Sequence, residues 1–179
     1  MLRILAYIVG AVVVAAAGVV IYAATLPDTF RLERSIVINA PPENVFAIVQ
    51  DFRRSPEWSP WEKLDPDLKR ELSGAESGIG AIYAWEGNKD VGAGRQEIIE
   101  ATPPSLVRVK LDFFRPFEAN NTVDYSLAPE GDGTKITWAM YGPNPLIARV
   151  MQIFFDFDAT VGKDFETGLA SLKALAERG

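Results

Sequence analysis

Strict two-residue alternation of apolar and polar side chains constrains the fold of this chain more than any other feature. Runs of this kind occupy residues 31–40, 79–85, 107–113, 122–127 and 135–140. Such alternation predicts antiparallel strands with one covered face and one face in water. Short segments rich in Gly, Pro, Asn and Asp fit the turns between the later runs. These segments are residues 86–90, 103–104 and 130–133.

The periodicity changes to helical spacing near the carboxyl terminus. Between Pro145 and Arg178 the apolar residues recur at close to helical intervals, at Phe154, Phe157, Val161, Phe165, Leu169, Leu172 and Leu175. This spacing predicts one long helix with an apolar stripe. The covered face of the sheet is the large apolar surface available to this stripe. We therefore expect an α+β fold in which a curved antiparallel sheet wraps around the C-terminal helix.

The amino-terminal segment is apolar and uncharged from Ile4 to Leu26. As a helix rising about 1.5 Å per residue it would span roughly 34 Å, enough to cross a bilayer core of about 30 Å. We therefore expect a single transmembrane anchor in residues 1–27 and one domain in residues 28–179. A cleaved signal peptide is the alternative. It is disfavoured because its apolar region usually has about 7–15 residues and because Tyr22 occupies a position that cleavage sites fill with a small residue.

The side of the membrane that holds the domain depends on the balance of Lys and Arg around the anchor. Arg3 precedes the apolar segment, and Arg31 and Arg34 follow it, so the balance is nearly even. We favour a cytoplasmic amino terminus with the domain outside the cytoplasm, in the periplasm if the source is a bacterium. The opposite orientation stays open.

Composition excludes several classes of function. The chain has a formal net charge of −6, so it lacks the basic footprint that nucleic acid binding requires, and we expect no nucleic acid partner. It contains no Cys and no His. Their absence excludes disulfides, Ser-His-Asp and Cys-His catalysis, and zinc or haem sites of the usual kinds. We therefore predict no metal site and no cofactor.

The domain resembles the helix-grip fold of the START and polyketide-cyclase-like group, also called SRPBCC, over about residues 30–178. The segments that carry the resemblance are SIVINAPPENVFAIVQDFRRSPEWSPWEK, GIGAIYAWEG, GAGRQEIIEATPPSLV, GTKITWAM and GKDFETGLASLKALAE. The resemblance implies a hydrophobic cavity between the sheet and the terminal helix, closed by two short helices. Members of the group bind lipids, sterols or other apolar ligands. Some cyclise or aromatise polyketides, and others act as accessory modules.

Aromatic residues are the candidate ligand-binding set. In a helix-grip arrangement the Trp58/Trp61 corner would lie at one end of the cavity. The other candidates would come from the covered sheet face and the terminal helix, and they are Tyr83, Trp85, Phe113, Tyr125, Trp138 and Phe165. Bulky rings with polar edges keep a pocket apolar while orienting a ligand. The same rings could instead fill a solid core, and this alternative stays open.

Three functions fit these observations. We favour a membrane-tethered module that binds a lipid or another hydrophobic small molecule. A polyketide cyclase or aromatase-like enzyme using Tyr83, Asp156 or Asp158 is the second, and we favour it less because histidine, the usual proton shuttle at neutral pH, is absent. Asp156 and Asp158 also fit a helix cap or a solvated helix end.

The third function is that of an accessory subunit of a membrane protein complex. Small residues in the anchor would pack against partner helices in that case, and they are Gly10, Ala11, Ala15, Ala16, Ala17 and Gly18.

Overall fold

The computed structural model describes residues 2–178 of the chain. Its helices are α1 (Leu2–Thr25), α2 (Pro42–Val49), α3 (Ser55–Trp58), α4 (Leu146–Phe154) and α5 (Phe157–Ala176), with 3₁₀ turns at Phe52–Arg54 and Pro60–Lys63. Its strands are β1 (Thr29–Ile38), β2 (Lys69–Gly74), β3 (Ala81–Glu86), β4 (Ala93–Thr102), β5 (Leu106–Arg115), β6 (Ala119–Glu130) and β7 (Gly133–Pro143).

The strands form one curved antiparallel sheet in the order β1-β7-β6-β5-β4-β3-β2. Thr29 lies opposite Pro143 and Ile38 lies opposite Thr134. The β6–β7 turn therefore lies at the end of the sheet that is farthest from α1. The α+β class and the helix-grip arrangement of a curved sheet around a C-terminal helix are confirmed.

Two strands were not predicted from the sequence. All six residues of β2 are exposed, so this strand has no alternation to detect. β4 shifts its register between Ile98 and Glu100, and the bulge interrupts the two-residue period. The predicted run at 79–85 begins too early, because Ile79 precedes β3 and is exposed.

The core lies between the covered face of the sheet and helices α2 and α5. Large side chains from all three are fully buried there: Ile38, Ile98, Val107, Val109 and Ile136 from the sheet, Val45 from α2, and Phe165, Leu169 and Leu172 from α5. Burial of each such side chain stabilises the fold by about 1.5–3 kcal/mol. The alternating runs thus supply one wall of the core, as predicted, and α5 supplies the other.

The prediction of one long helix from Pro145 to Arg178 is wrong. The chain leaves helical geometry between α4 and α5, and the Asp156 carboxylate accepts a hydrogen bond from the Ala159 N–H at 2.9 Å. This contact caps a new helix start. The break also removes Phe154 and Phe157 from the apolar stripe, and their side chains are 65% and 39% exposed.

Helix α1 reaches the domain at its C-terminal end. Residues Arg3–Thr25 are long and apolar enough to cross a membrane, as are many signal sequences, and none of the apolar window is buried. At its end, α1 packs against α4. The Arg149 guanidinium on α4 donates to the carbonyl oxygens of Ala24 at 3.4 Å and Leu26 at 2.9 Å. These contacts satisfy carbonyls that a helix end leaves without an intrahelical partner.

Candidate functional site

The two tryptophans of the 58–61 corner lie over α5. Pro60 begins a 3₁₀ turn directly after α3 ends, because proline has no N–H to continue the hydrogen bonding of α3. Both α3 and this turn pack on α5. Trp58 is buried and Trp61 is half-buried. The corner therefore covers one end of the space between the sheet and α5, where the resemblance placed it.

Trp138 on β7 is the centre of an aromatic cluster in this space. Its ring stacks on Phe165 of α5 with 4.2 Å between centroids, and the Tyr125 ring lies 5.3 Å away. The rings of Trp58 and Trp61 approach Trp138 edge-on, at 5.4 and 5.6 Å. Stacked and edge-on pairs of this kind add about 0.5–1.5 kcal/mol each beyond the area they bury.

A small cavity, which we call the inner cavity, remains beside the cluster. Its volume is about 60 Å³, well below the roughly 300–1,000 Å³ of most small-molecule sites. Six of the eight predicted ligand-binding residues line it: Trp58, Trp61, Tyr83, Tyr125, Trp138 and Phe165. The open hydrophobic cavity implied by the resemblance is therefore nearly filled by its own aromatic rings.

The other two predicted residues lie outside the inner cavity. Trp85 meets Phe113 edge-on, with 5.7 Å between ring centroids, and its indole N–H donates to the Val91 carbonyl at 3.2 Å. A Cβ on Gly94 would lie only 2.4 Å from the Trp85 ring. The contacts of Trp85 are those of a packed side chain that joins β3 to β4, β5 and the β3–β4 turn.

Polar residues that the sequence analysis did not select also line the inner cavity. The Glu62 side chain is 5% exposed. Its carboxylate accepts hydrogen bonds from the Tyr83 hydroxyl at 2.5 Å and from Arg70 Nε at 2.6 Å. Burial, together with the adjacent carboxylate, raises the pKa of Tyr83 above its ordinary value, so the phenol stays protonated. The one sequence signal for Glu62 is its position next to Trp61, whereas Arg70 lies on the unpredicted strand β2.

Two hydrogen-bond donors of the cluster are unused. Among residues 2–178, the indole nitrogens of Trp58 and Trp138 are buried without a hydrogen-bond partner. Leaving a buried donor unsatisfied costs about 1–3 kcal/mol. Tyr125 is buried, and burial raises the pKa of its hydroxyl. The inner cavity is thus lined mainly by apolar and aromatic side chains, and its single carboxylate is held by Tyr83 and Arg70.

The carboxylates proposed for catalysis lie elsewhere. Asp156 and Asp158 line a separate surface groove of about 540 Å³, which we call the outer groove, between the start of β1 and the α4–α5 break. Asp156 caps α5, and Asp158 forms an ion pair with Arg34, which also binds Glu166 at 3.0 Å. The structure therefore does not bring Asp156 or Asp158 together with Tyr83, which lines the inner cavity.

The described residues give no basis for a metal centre. Within 2–178, no group of three or more Asp, Glu, His or Cys side chains is placed to hold a metal ion. The chemistry that the site can support rests on aromatic surfaces, the Tyr83 phenol and the Glu62–Arg70 pair.

Comparison with solved structures finds the same fold in proteins of distant sequence. The CV1439 protein of Chromobacterium violaceum is 19% identical, with a TM-score of 0.58 over 85% of this chain and 99% of that one. The Aha1 dimer of Colwellia psychrerythraea is 16% identical, with a TM-score of 0.60 over 83% and 96%. The di-domain ARO/CYC BexL of the BE-7585A biosynthetic pathway is 15% identical, with a TM-score of 0.59 over 88% of this chain and 53% of BexL. At these identities the likeness concerns the fold alone.

The sequence itself carries the family assignment. Comparison with curated proteins finds no match. The family described as "Polyketide cyclase / dehydrase and lipid transport" matches residues 29–177, which is nearly the whole domain after α1. The chain therefore belongs to the polyketide cyclase/dehydrase and lipid transport family.

Proposed function

We propose that this protein is a membrane-tethered module that binds a lipid or another apolar small molecule in the inner cavity. Residues 1–27 form the single-pass anchor, and residues 28–179 form the binding domain outside the cytoplasm. The observation that carries the proposal is that two tryptophans lining the inner cavity, Trp58 and Trp138, have buried indole N–H groups without a hydrogen-bond partner. A ligand with an apolar body and one hydrogen-bond acceptor would satisfy both features.

Room for such a ligand would come from movement of Trp61. This ring is half-buried and sits on the short 3₁₀ turn Pro60–Lys63, whereas Trp58 is buried in α3. Trp61 touches Trp138 and Phe165 through edge contacts, at 5.6 and 6.2 Å between centroids. Rotation of the Trp61 ring away from these neighbours would extend the inner cavity to the surface. We infer that Trp61 acts as the lid and Trp58 as a fixed wall.

The tether places the domain where apolar ligands are found. The apolar window of α1 is unburied, and its length suits a bilayer. The chain is net negative, so electrostatic attraction to anionic headgroups would not hold the domain at a membrane. A transmembrane helix in the same chain would hold the domain at the membrane without a basic surface.

The test uses tryptophan fluorescence of the full chain in phosphatidylcholine nanodiscs. All four tryptophans lie in the domain, so quenching by a brominated ligand would report the cavity rather than lipid around the span. A Trp85→Phe background would leave the three tryptophans of the cluster. We expect saturable quenching by a brominated long-chain alcohol, and about tenfold weaker quenching by the matching bromoalkane, because the alkane offers no acceptor to the indoles.

Trp61→Ala supplies the matched comparison. It removes the proposed lid and keeps both indole donors, so the brominated alcohol should bind more tightly than it does to the Trp85→Phe parent. A non-brominated alcohol should compete. Absence of saturable quenching in both proteins would contradict the binding function.

Catalysis is the second candidate, and the Glu62–Tyr83 contact favours it. The Tyr83 hydroxyl gives its one hydrogen to Glu62, so a ligand carbonyl that replaced this carboxylate as acceptor would receive a hydrogen bond from Tyr83, which could polarise it for cyclisation of a polyketide. Tyr83→Phe separates the two functions. Loss of turnover of a linear polyketide analogue, with ligand quenching unchanged, would support an enzyme.

A further inference from the structure

Helix α4 exposes its apolar side chains and turns its polar ones toward the protein, which is the reverse of an ordinary surface helix. Its most exposed side chains are apolar: Ile147 is 69% exposed, Met151 42% and Phe154 65%. Phe155, directly after the helix, is 67% exposed. At spacings of four and three residues, Ile147, Met151 and Phe154 share one helical face. We call this the outward face of α4.

The polar residues of α4 face the protein instead. Arg149 donates to the carbonyls that end α1. Gln152 exchanges hydrogen bonds with the buried Asn144, at 3.2 and 3.3 Å, and Asn144 also donates to the Pro27 carbonyl at 3.1 Å. These contacts fix the rotation of α4 about its axis. These hydrogen bonds therefore hold the apolar face of α4 outward. In a monomer surrounded by water, exposing that face would not stabilise the protein.

The position of α4 points to what covers its outward face. Arg149 binds the last carbonyls of α1, so α4 lies beside the end of α1, where the proposed span would leave the bilayer. The chain from Leu26 to the start of β1 at Thr29 is too short to carry the domain away from that level. An exposed aromatic, Phe117, lies in the β5–β6 turn at the same end of the sheet, as the strand pairing shows.

We propose that the outward face of α4 lies in the interface of the same bilayer that α1 spans, among the headgroups and upper acyl chains. The inference rests on the tether of the proposed function. An interfacial helix buries its apolar face about 5–10 Å into the headgroup boundary. Most such helices carry Lys and Arg on the polar face, but here Arg149 is used internally, so apolar contact holds α4 to the lipid. Zwitterionic phosphatidylcholine is therefore a sufficient partner.

The absence of cysteine from the chain makes a depth measurement direct. Single variants Ile147→Cys and Phe154→Cys of the full chain, each carrying an environment-sensitive fluorophore, are placed in phosphatidylcholine vesicles. Some vesicles contain lipid with a nitroxide near the headgroup, and others contain lipid with a nitroxide at the end of the acyl chain. We expect about a twofold loss of fluorescence at both positions with the shallow nitroxide and a smaller loss with the deep one.

Two further positions complete the design. Val13→Cys lies near the middle of α1 and should be quenched more by the deep nitroxide. Asp132→Cys lies in the β6–β7 turn, and the ten residues of β1 separate that end of the sheet from the anchor by about 30 Å. Asp132→Cys should not be quenched by either lipid.

Each pattern of results separates the claims. Quenching at Val13→Cys without quenching at Ile147→Cys and Phe154→Cys would leave the tether standing and overturn the interfacial position of α4. No quenching at any position would overturn the tether and this inference together. A blue-shifted label at Ile147→Cys that lipid does not quench would show that protein covers the face, which also overturns the proposal.

Discussion

At the scale of single residues, the size of the inner cavity is set by how closely α5 approaches Trp138. Gly168 controls this approach, because a Cβ at that position would lie 2.8 Å from Trp138 Cζ3 and 3.0 Å from Pro60 Cδ. The missing side chain lets the Trp138 and Phe165 rings stack at 4.2 Å. One glycine therefore helps to keep the aromatic cluster closed.

Gly168→Ala should destabilise the domain despite the better helix propensity of alanine. The propensity gain is about 0.8–1 kcal/mol, and overpacking against a rigid ring costs about 1–3 kcal/mol. We expect the free energy of unfolding to fall by about 1 kcal/mol in chemical denaturation of the full chain. The near-ultraviolet circular dichroism of the tryptophans should change with it.

A double-mutant cycle isolates the cause. In a Trp138→Phe background the smaller ring should relieve the closer of the two contacts and leave the one with Pro60, so Gly168→Ala should cost clearly less there. A cost that is equal in both backgrounds would mean that the Trp138 ring is not what Gly168 accommodates.

The residues around the inner cavity were partly predictable. Tyr125 and Trp138 follow from two-residue alternation on the covered face, and the Trp58/Trp61 corner follows from its resemblance to the family pattern. The degree of filling could not be predicted, because it depends on a contact between β7 and a glycine 30 positions away. Glu62 and Arg70 were missed for a similar reason, since their pairing forms between a turn and an unpredicted strand.

At the scale of elements, the break between α4 and α5 determines which surfaces the C-terminal residues reach. The sequence analysis extended one helix through it because Phe154 and Phe157 keep roughly helical spacing. The stronger local signal was Asp156, a good N-cap residue three positions before Ala159. Apolar residues at helical spacing can lie on two separate helices, so the spacing does not show whether the helix is continuous. The N-cap residue Asp156 marks where α5 begins.

Asp156→Ala should loosen the start of α5. Loss of the hydrogen bond to the Ala159 N–H leaves a helix donor without its side-chain acceptor, and such caps contribute about 0.5–2 kcal/mol. We expect the free energy of unfolding to fall by about 1 kcal/mol, with faster amide exchange confined to the first turn of α5. Asp156→Ser retains a capping oxygen and should stay close to the parent protein. Equal losses in both variants would argue that the carboxylate acts through its charge instead.

At the scale of the whole molecule, the family domain and the apolar helix are separate parts of the chain. The family match begins at residue 29, directly after the apolar segment. The chain has 24 Asp and Glu against 18 Lys and Arg, and Arg3 is the one charged side chain before the domain, so the domain has a slightly larger acidic excess than the whole chain. Such a domain has no electrostatic reason to stay on an anionic membrane, so the proposed attachment would depend on α1 together with the outward face of α4.

Attachment through apolar contact rather than through charge predicts the conditions that release the protein from a membrane. In about 1 M salt the Debye length falls to about 3 Å, so proteins held by charge are released. We expect the full-length chain to remain in the membrane pellet under these conditions and to enter solution only with detergent. Its intact mass should include residues 1–27. Because the apolar energy of a spanning helix does not depend on ionic strength, the pelleted fraction should be the same at low and high salt.

Salt release of the full-length chain would mean that α1 does not span. A soluble product whose mass begins close to β1 would instead identify α1 as a signal peptide that is removed, and the domain would then meet its ligands without a tether.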